Sequence, residues 1–411
     1  MFFDVSISAL THTRLHFSPL AGYLPLLDRL QPFIVIERTG IMGDSKLFSP
    51  LTLGPCHLQH RLVMAPLTRL RANDFFVQLP FVKQYYGQRA STPGTLIVAE
   101  ATSISARAVG FANTPGIWSA DQIAAWKEIT DCVHQKRSFI FLQLWSCGRA
   151  AEQEVIDKEG IDYVSSSATP VEPNGRCPRS LTEEEIRGYI EDYAQAARNA
   201  MAAGFDGVEL HGAHGFLIDQ FIQETCNKRT DQWGGSIENR SRFALEVAKA
   251  VVDVVGADRV GIKLSPWAEE FGMKLSRDVI PQFEYLISRL SEMGLAYLAL
   301  SNPRWEEGNL PDGEEYNNSI FVRAWGPSRP VILCGGYSQA SAQQAVDEEY
   351  AAYDVLIAFG RYFISTPDLP YRLKRGLEFS KYHRESFYTP CAEKGYIDYP
   401  FSEEFLAECI V

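Results

Sequence analysis

Eight short aliphatic runs recur along the 411-residue chain, separated by amphipathic stretches of helical period. They are RLVMAP (61–66), TLIVAEA (95–101), FIFLQL (139–144), GVELH (207–211), RVGIKL (259–264), YLALS (297–301), PVILC (330–334) and DVLIAFG (354–360). None alternates cleanly between apolar and polar residues, which is the pattern of strands buried on both faces. The intervening stretches carry their own boundary signals. Thr182 and Glu185 form a capping box at the head of 182–204, and Gly204 stops that helix. Ser236 and Asn239 open the stretch 236–256, Gly256 closes it, and 277–294 repeats the scheme. Strands and helices in this alternation predict the α/β class and a single closed (β/α)8 TIM barrel. The competing architecture is an open doubly wound sheet. It ordinarily places a glycine-rich nucleotide loop after its first strand, and no G-x-G-x-x-G occurs. Ahead of the first run, LFSPLTLG (47–54) predicts a short N-terminal hairpin capping the bottom of the barrel.

Composition narrows the function. A net charge of −12 excludes the basic surface a nucleic-acid partner needs. The eight cysteines are scattered without a C-x-x-C pair, so neither a zinc cage nor a dithiol motif is expected. They read as free thiols of a reducing compartment, which points to the cytoplasm. No apolar run reaches membrane-spanning length, so no membrane partner is expected. Residues 1–41 lack both a clean period and the compact order of a secretory signal. They are expected to form a poorly ordered extension, with the working domain spanning 42–411.

In a barrel, chemistry collects at the carboxyl ends of the strands. The first run ends in Pro66, Leu67, Thr68 and Arg69, the second in Glu100, Ala101 and Thr102, and the third in Gln143 and Trp145. The fourth gives His211 and His214, and the fifth Lys263. The seventh and eighth give Gly335, Gly336 and Tyr337, then Gly360 and Arg361. Backbone N–H groups beside a guanidinium suit a phosphate, at the place where barrels commonly hold one. There is no Ser-His-Asp order, no carboxylate pair at strand ends and no three-ligand metal set. Neutral donors with one cation suit a flat heterocycle and a polarised carbonyl. Taken alone, His211 and His214 also fit a satisfied core pair or a turn.

Six segments together resemble the Old Yellow Enzyme family of FMN-dependent ene-reductases: VMAPLTRLRA (63–72), LQLWSCGRAA (142–151), GVELHGAHGFLIDQF (207–221) with NKRTDQWGGSIENRSRF (227–243), KLSPW (263–267) and GRYFISTPDLPYRL (360–373). The resemblance runs from about Ser45 to the C-terminus. It implies FMN as cofactor, NADPH or NADH as hydride donor, and a small-molecule enal or enone as substrate, handled by a monomer or homodimer. It implies that Pro66, Thr68 and Ala101 meet the flavin, that Gln143 pairs with the pyrimidine side, and that Lys263 faces N1 and O2. Gly336, Tyr337, Gly360 and Arg361 would take the phosphate. Trp145, Phe387 and Tyr388 would shape the substrate side, and His211 with His214 would hold the substrate carbonyl. A barrel enzyme without flavin is the remaining reading of the residues alone.

Two positions depart from the family pattern. Phe216 stands where many relatives carry the tyrosine that protonates the α-carbon, and phenylalanine has no acidic proton. Either water or another tyrosine serves instead, or slow protonation turns the reaction into a redox-neutral double-bond isomerisation. Phenylalanine here resembles the fungal branch of chanoclavine-I aldehyde reductases and isomerases in ergot-alkaloid metabolism. Lys263 stands where many relatives have arginine, exchanging a rigid fork of donors for a point charge.

Overall fold

The computed structural model describes residues 45–303 and 316–409. The extension expected over 1–41, and the centre of the loop 302–329, lie outside the described residues. Eight parallel strands close into a barrel: β1 (Leu62–Met64), β2 (Leu96–Ser103), β3 (Phe139–Trp145), β4 (Gly207–Gly212), β5 (Val260–Leu264), β6 (Tyr297–Ser301), β7 (Val331–Cys334) and β8 (Val355–Phe359). Each of the eight aliphatic runs contributes one strand. Neighbours in sequence are neighbours in space, and β8 pairs with β1. The expected helix signals are used as drawn. Thr182 and Glu185 complete a reciprocal capping box on Glu183–Ala202. Ser236 accepts from the Asn239 N–H to start Ile237–Val255, which ends at Gly256.

Strand parity divides the core in two. Leu62, Ile97, Ile140, Val208, Ile262 and Leu298 point outward into the layer shared with the helices. Val63, Val98, Phe141, Tyr297, Ile332 and Leu356 point inward. The barrel is therefore a packed body, filled mainly by large side chains against glycines. A Cβ on Gly207 would lie 2.4 Å from the Phe141 ring, and one on Gly261 would lie 2.3 Å from the Tyr297 ring.

The capping hairpin exists, shifted from its expected place. It joins Leu51–Leu53 to Cys56–Leu58, so its second arm lies beyond 54, and 46–48 forms a 3-10 turn instead. Leu53, Cys56 and Leu58 join the inward-facing cluster and close the barrel floor. No described helix is long and apolar enough to cross a membrane.

Candidate active site

The inward side chains change character along the strands. Near the floor they are apolar. Toward the carboxyl ends they become Gln143, Glu209, His211, Lys263 and Ser301, all within one mouth. Parity explains the grouping: 209 and 211 lie two apart on β4, and His211 pairs in register with Lys263 on β5. On β2 a register shift between Ala99 and Thr102 turns Ala101 inward against Trp145 and Cys147. Bulges of this kind re-aim side chains beside active sites.

The chain leaves β4 through a tight turn. His214 and Gly215 both adopt left-handed backbone, at φ of 54° and 74°. A Cβ on Gly215 would lie 2.7 Å from the Glu270 carbonyl oxygen, so glycine is required there. The turn is pinned at three points. The His214 N–H donates to Ser265 Oγ at 2.7 Å, and His214 Nε2 meets Ser301 Oγ at 3.0 Å. The Gly215 N–H donates to Asp219 Oδ2 at 2.9 Å.

The result is a perpendicular imidazole pair, with His211 and His214 centroids 5.8 Å apart. At that spacing one oxygen can lie about 2.9 Å from a nitrogen of each ring. Burial holds the His211 pKa well below its usual value, and Lys263 depresses it further. His211 is therefore a neutral donor, and its buried Nδ1 has no hydrogen-bond partner among the described residues. An unsatisfied buried donor of this kind calls for an explanation, and a ligand atom supplies one.

Phe216 closes one side. Its ring packs edge-on against Trp145 at 4.9 Å and against His211 at 4.9 Å, with Phe271 at 5.4 Å and Phe111 at 6.5 Å. Among the described residues no tyrosine ring packs on it.

The mouth fits a flavin mononucleotide. Lys263 is buried, with neither an ion pair nor a hydrogen bond among the described residues, although Glu209 and His211 feel its charge. A lone ammonium at the mouth suits a ring edge that gains negative charge. Pro66 and Glu209 line the same cavity as Lys263, and Gln143 is hydrogen-bonded to Glu209. At β7 and β8, Gly335 and Gly336 take positive φ of 122° and 73°, and no atom would lie within 4 Å of a Cβ on Gly336. Arg361 rests over the Tyr382 ring without a carboxylate partner among the described residues. Backbone turned open beside an unpaired guanidinium can take a phosphate.

Not every strand-end residue belongs to this mouth. Arg69 is buried and donates to the Phe387 and Gly395 carbonyls at 3.0 and 2.9 Å. Glu100 accepts from Gln78 and Tyr86 behind the barrel wall. Phe387 packs with Tyr382, and Tyr388, which is exposed, packs on Phe387. Neither touches the histidine pair. Sequence reasoning passed over Ser301, the last residue of the sixth run, which steadies His214. It also passed over Glu209, which alternation with His211 marks as inward.

Comparison with known proteins agrees with this geometry. Residues 46–380 match the NADH:flavin oxidoreductase / NADH oxidase family. The chain is 60% identical over 366 residues to aldehyde reductase FrzD of Cladobotryum sp, covering 89% of this chain and 97% of that one. It is 56% identical to the probable inactive reductase easA of Epichloe festucae var. lolii, over 89% and 98% of the two chains. It is 55% identical to chanoclavine-I aldehyde reductase ifgG of Penicillium roqueforti, over 88% and 96%. Old Yellow Enzyme from Pichia sp. AKU4542 superposes with a TM-score of 0.81 at 37% identity, over 88% and 95%. The chain thus belongs to the NADH:flavin oxidoreductase / NADH oxidase family, as an FMN-dependent oxidoreductase of the Old Yellow Enzyme kind that draws hydride from NADH or NADPH.

Proposed function

We propose that this chain acts on the conjugated double bond of a small α,β-unsaturated aldehyde or ketone, reducing it. One observation carries the reading: a neutral, desolvated imidazole with an unpartnered nitrogen stands beside a second imidazole over a mouth equipped with a lone ammonium. FMN, when bound, supplies the hydride. Gln143 and Lys263 hold its pyrimidine side, Pro66, Thr68 and Ala101 its ring edge, and Gly336, Tyr337, Gly360 and Arg361 its phosphate. His211 and His214 hold the substrate carbonyl oxygen, drawing electron density from the β-carbon. As charge builds on that oxygen, the same donors stabilise it, and because the turn is already pinned they need no reorganisation. Trp145, beside Phe216, bounds the substrate, and Phe387 and Tyr388, which lie away from the histidine pair, border it only at its outer end.

Purified protein should be yellow and release one FMN per chain on denaturation. Given an enal and limiting NADPH, it should consume the nicotinamide in proportion to saturated product. A colourless protein that takes up no FMN would return the barrel to an unassigned chemistry.

A second reading follows from the rings around Phe216, none of which carries a hydroxyl. Where no acid stands ready, the enolate would rotate about its Cα–Cβ bond and return the hydride it received to the oxidised flavin, so the double bond re-forms isomerised and no NADPH is consumed. The Phe216→Tyr variant is expected to raise the ratio of reduced to rearranged product at least about tenfold, since a positioned general acid typically contributes 10²–10⁴ in rate. Product analysis by chromatography gives that ratio, and an unchanged value removes protonation at position 216 from the account.

A further inference from the structure

Glu209 lies directly beneath the mouth, and nothing in the proposed chemistry uses it. Its carboxylate is buried on β4 opposite Gln143 on β3, and Gln143 Nε2 donates to Glu209 Oε1 at 2.8 Å. Beneath and around it the inward residues are Ala65, Val98, Ala299, Ile332 and Ala358. Tyr297 packs behind it, reaching into the space that the missing side chain of Gly261 leaves. An apolar residue would fill this position at lower cost, because a buried carboxylate must be compensated. Burial raises the Glu209 pKa, and what opposes that rise is the charge of Lys263, with the Gln143 amide and the Tyr297 hydroxyl beside it. With its nitrogen committed to Glu209, Gln143 has a fixed amide orientation, and its carbonyl oxygen faces away from the carboxylate.

We infer that Glu209 is a positioning residue of the flavin site, which locks the Gln143 amide and offsets the Lys263 ammonium, so setting both the grip on FMN and its reduction potential. The inference rests on the proposed contacts of Gln143 and Lys263 with the pyrimidine side. A carboxylate near that pole opposes the negative charge that the ring gains on reduction, while the ammonium favours it. Their balance decides how tightly reduced FMN is held relative to oxidised FMN.

Two variants separate orientation from charge. Glu209→Gln keeps the shape and an oxygen that can accept from Gln143, and removes the charge. Its oxidised FMN should bind within about threefold of wild type. Its preference for reduced over oxidised FMN should rise about tenfold, which is a positive shift of about 30 mV for a two-electron couple. Glu209→Ala frees the amide as well, and FMN affinity should fall about tenfold or more. Fluorescence titration of apoprotein with FMN and spectroelectrochemistry of the holoprotein read these quantities without turnover. If both variants match wild type in affinity and potential, the role of Glu209 is overturned. Gln143→Ala and Lys263→Met serve as controls. If they move affinity or potential while the Glu209 variants do not, only this inference fails. If they too are silent, the pyrimidine-side reading fails and takes this inference with it.

Discussion

Replacing His211 with alanine should lower kcat/KM for an activated alkene by about 10²–10³, the usual loss when one oxyanion donor is removed from a preorganised site. The size of the loss follows from the environment. His211 is buried and uncharged, and its unpartnered nitrogen is free to meet the proposed oxyanion. In water such a donor has little value, because solvent competes for the same oxygen; in a desolvated mouth it does not. FMN content should stay at one per chain, because His211 is assigned to the substrate oxygen and not to the flavin. His211→Gln, which keeps a donor, should recover part of the loss. Stopped-flow oxidation of the reduced protein by a nitroalkene or enal measures the step directly. If both His211→Ala and His214→Ala turn over within threefold of wild type, carbonyl polarisation by this pair is wrong.

The second large effect concerns stability. Asp219 is fully buried under the turn that carries His214 and Phe216, and accepts from the Gly215 N–H and from Gln223 Nε2. Burial pushes its pKa up to about 7, and neighbouring Glu270 adds to the rise while the hydrogen bonds and Arg149 oppose it. A carboxyl whose pKa is higher folded than unfolded binds its proton more tightly in the folded state. Stability from this group is therefore fully present at low pH and drains away as pH climbs from about 4 to about 7. Between pH 5 and pH 8 the loss should be roughly 2–3 kcal/mol relative to an Asp219→Asn variant, which cannot ionise. Denaturant melts of both proteins at the two pH values give the difference of differences. A wild-type-minus-variant gap that does not change with pH would assign Asp219 an ordinary pKa. Because Gly215 lies between the donor His214 and Phe216, ionisation should also loosen the turn, and hydrogen exchange of the Gly215 amide should quicken above pH 7.

Much of the scaffold was legible in the chain. The eight strands follow from apolar runs too short for helices, and Thr182, Ser236, Gly204 and Gly256 mark helix ends by local chemistry alone. The histidine pair, Lys263 and Gln143 were legible because barrel strands end at the same rim. What failed to show did so for identifiable reasons. Runs apolar on both faces hide which residues point inward, so Glu209 looked like any polar residue inside a strand until β3 and β4 were set in register. Arg69 looked like a rim cation next to Thr68, yet besides the Tyr85 hydroxyl its guanidinium is held by carbonyls more than 300 positions downstream, at Phe387 and Gly395. No local pattern reports a contact of that separation. The hairpin was displaced because Gly54, which looked like its end, is its turn: a Cβ there would lie 1.9 Å from the Asp258 carbonyl oxygen.

The arginines that bind this distant segment bear on how the protein matures. Arg69, Arg71 and Arg89 donate to carbonyls of Phe387, Ala392 and Tyr396, and Tyr85 stacks on Tyr396 at 3.9 Å. Those carbonyls lie more than 300 residues downstream of the arginines that bind them. Until that segment arrives, Arg69 and Arg71 lack most of their acceptors, Arg89 lacks one, and one flank of the bowl is missing. Acquisition of the yellow prosthetic group must then wait until that segment has been made, so a nascent chain arrested before residue 380 should be a barrel that is not yet able to hold its dye.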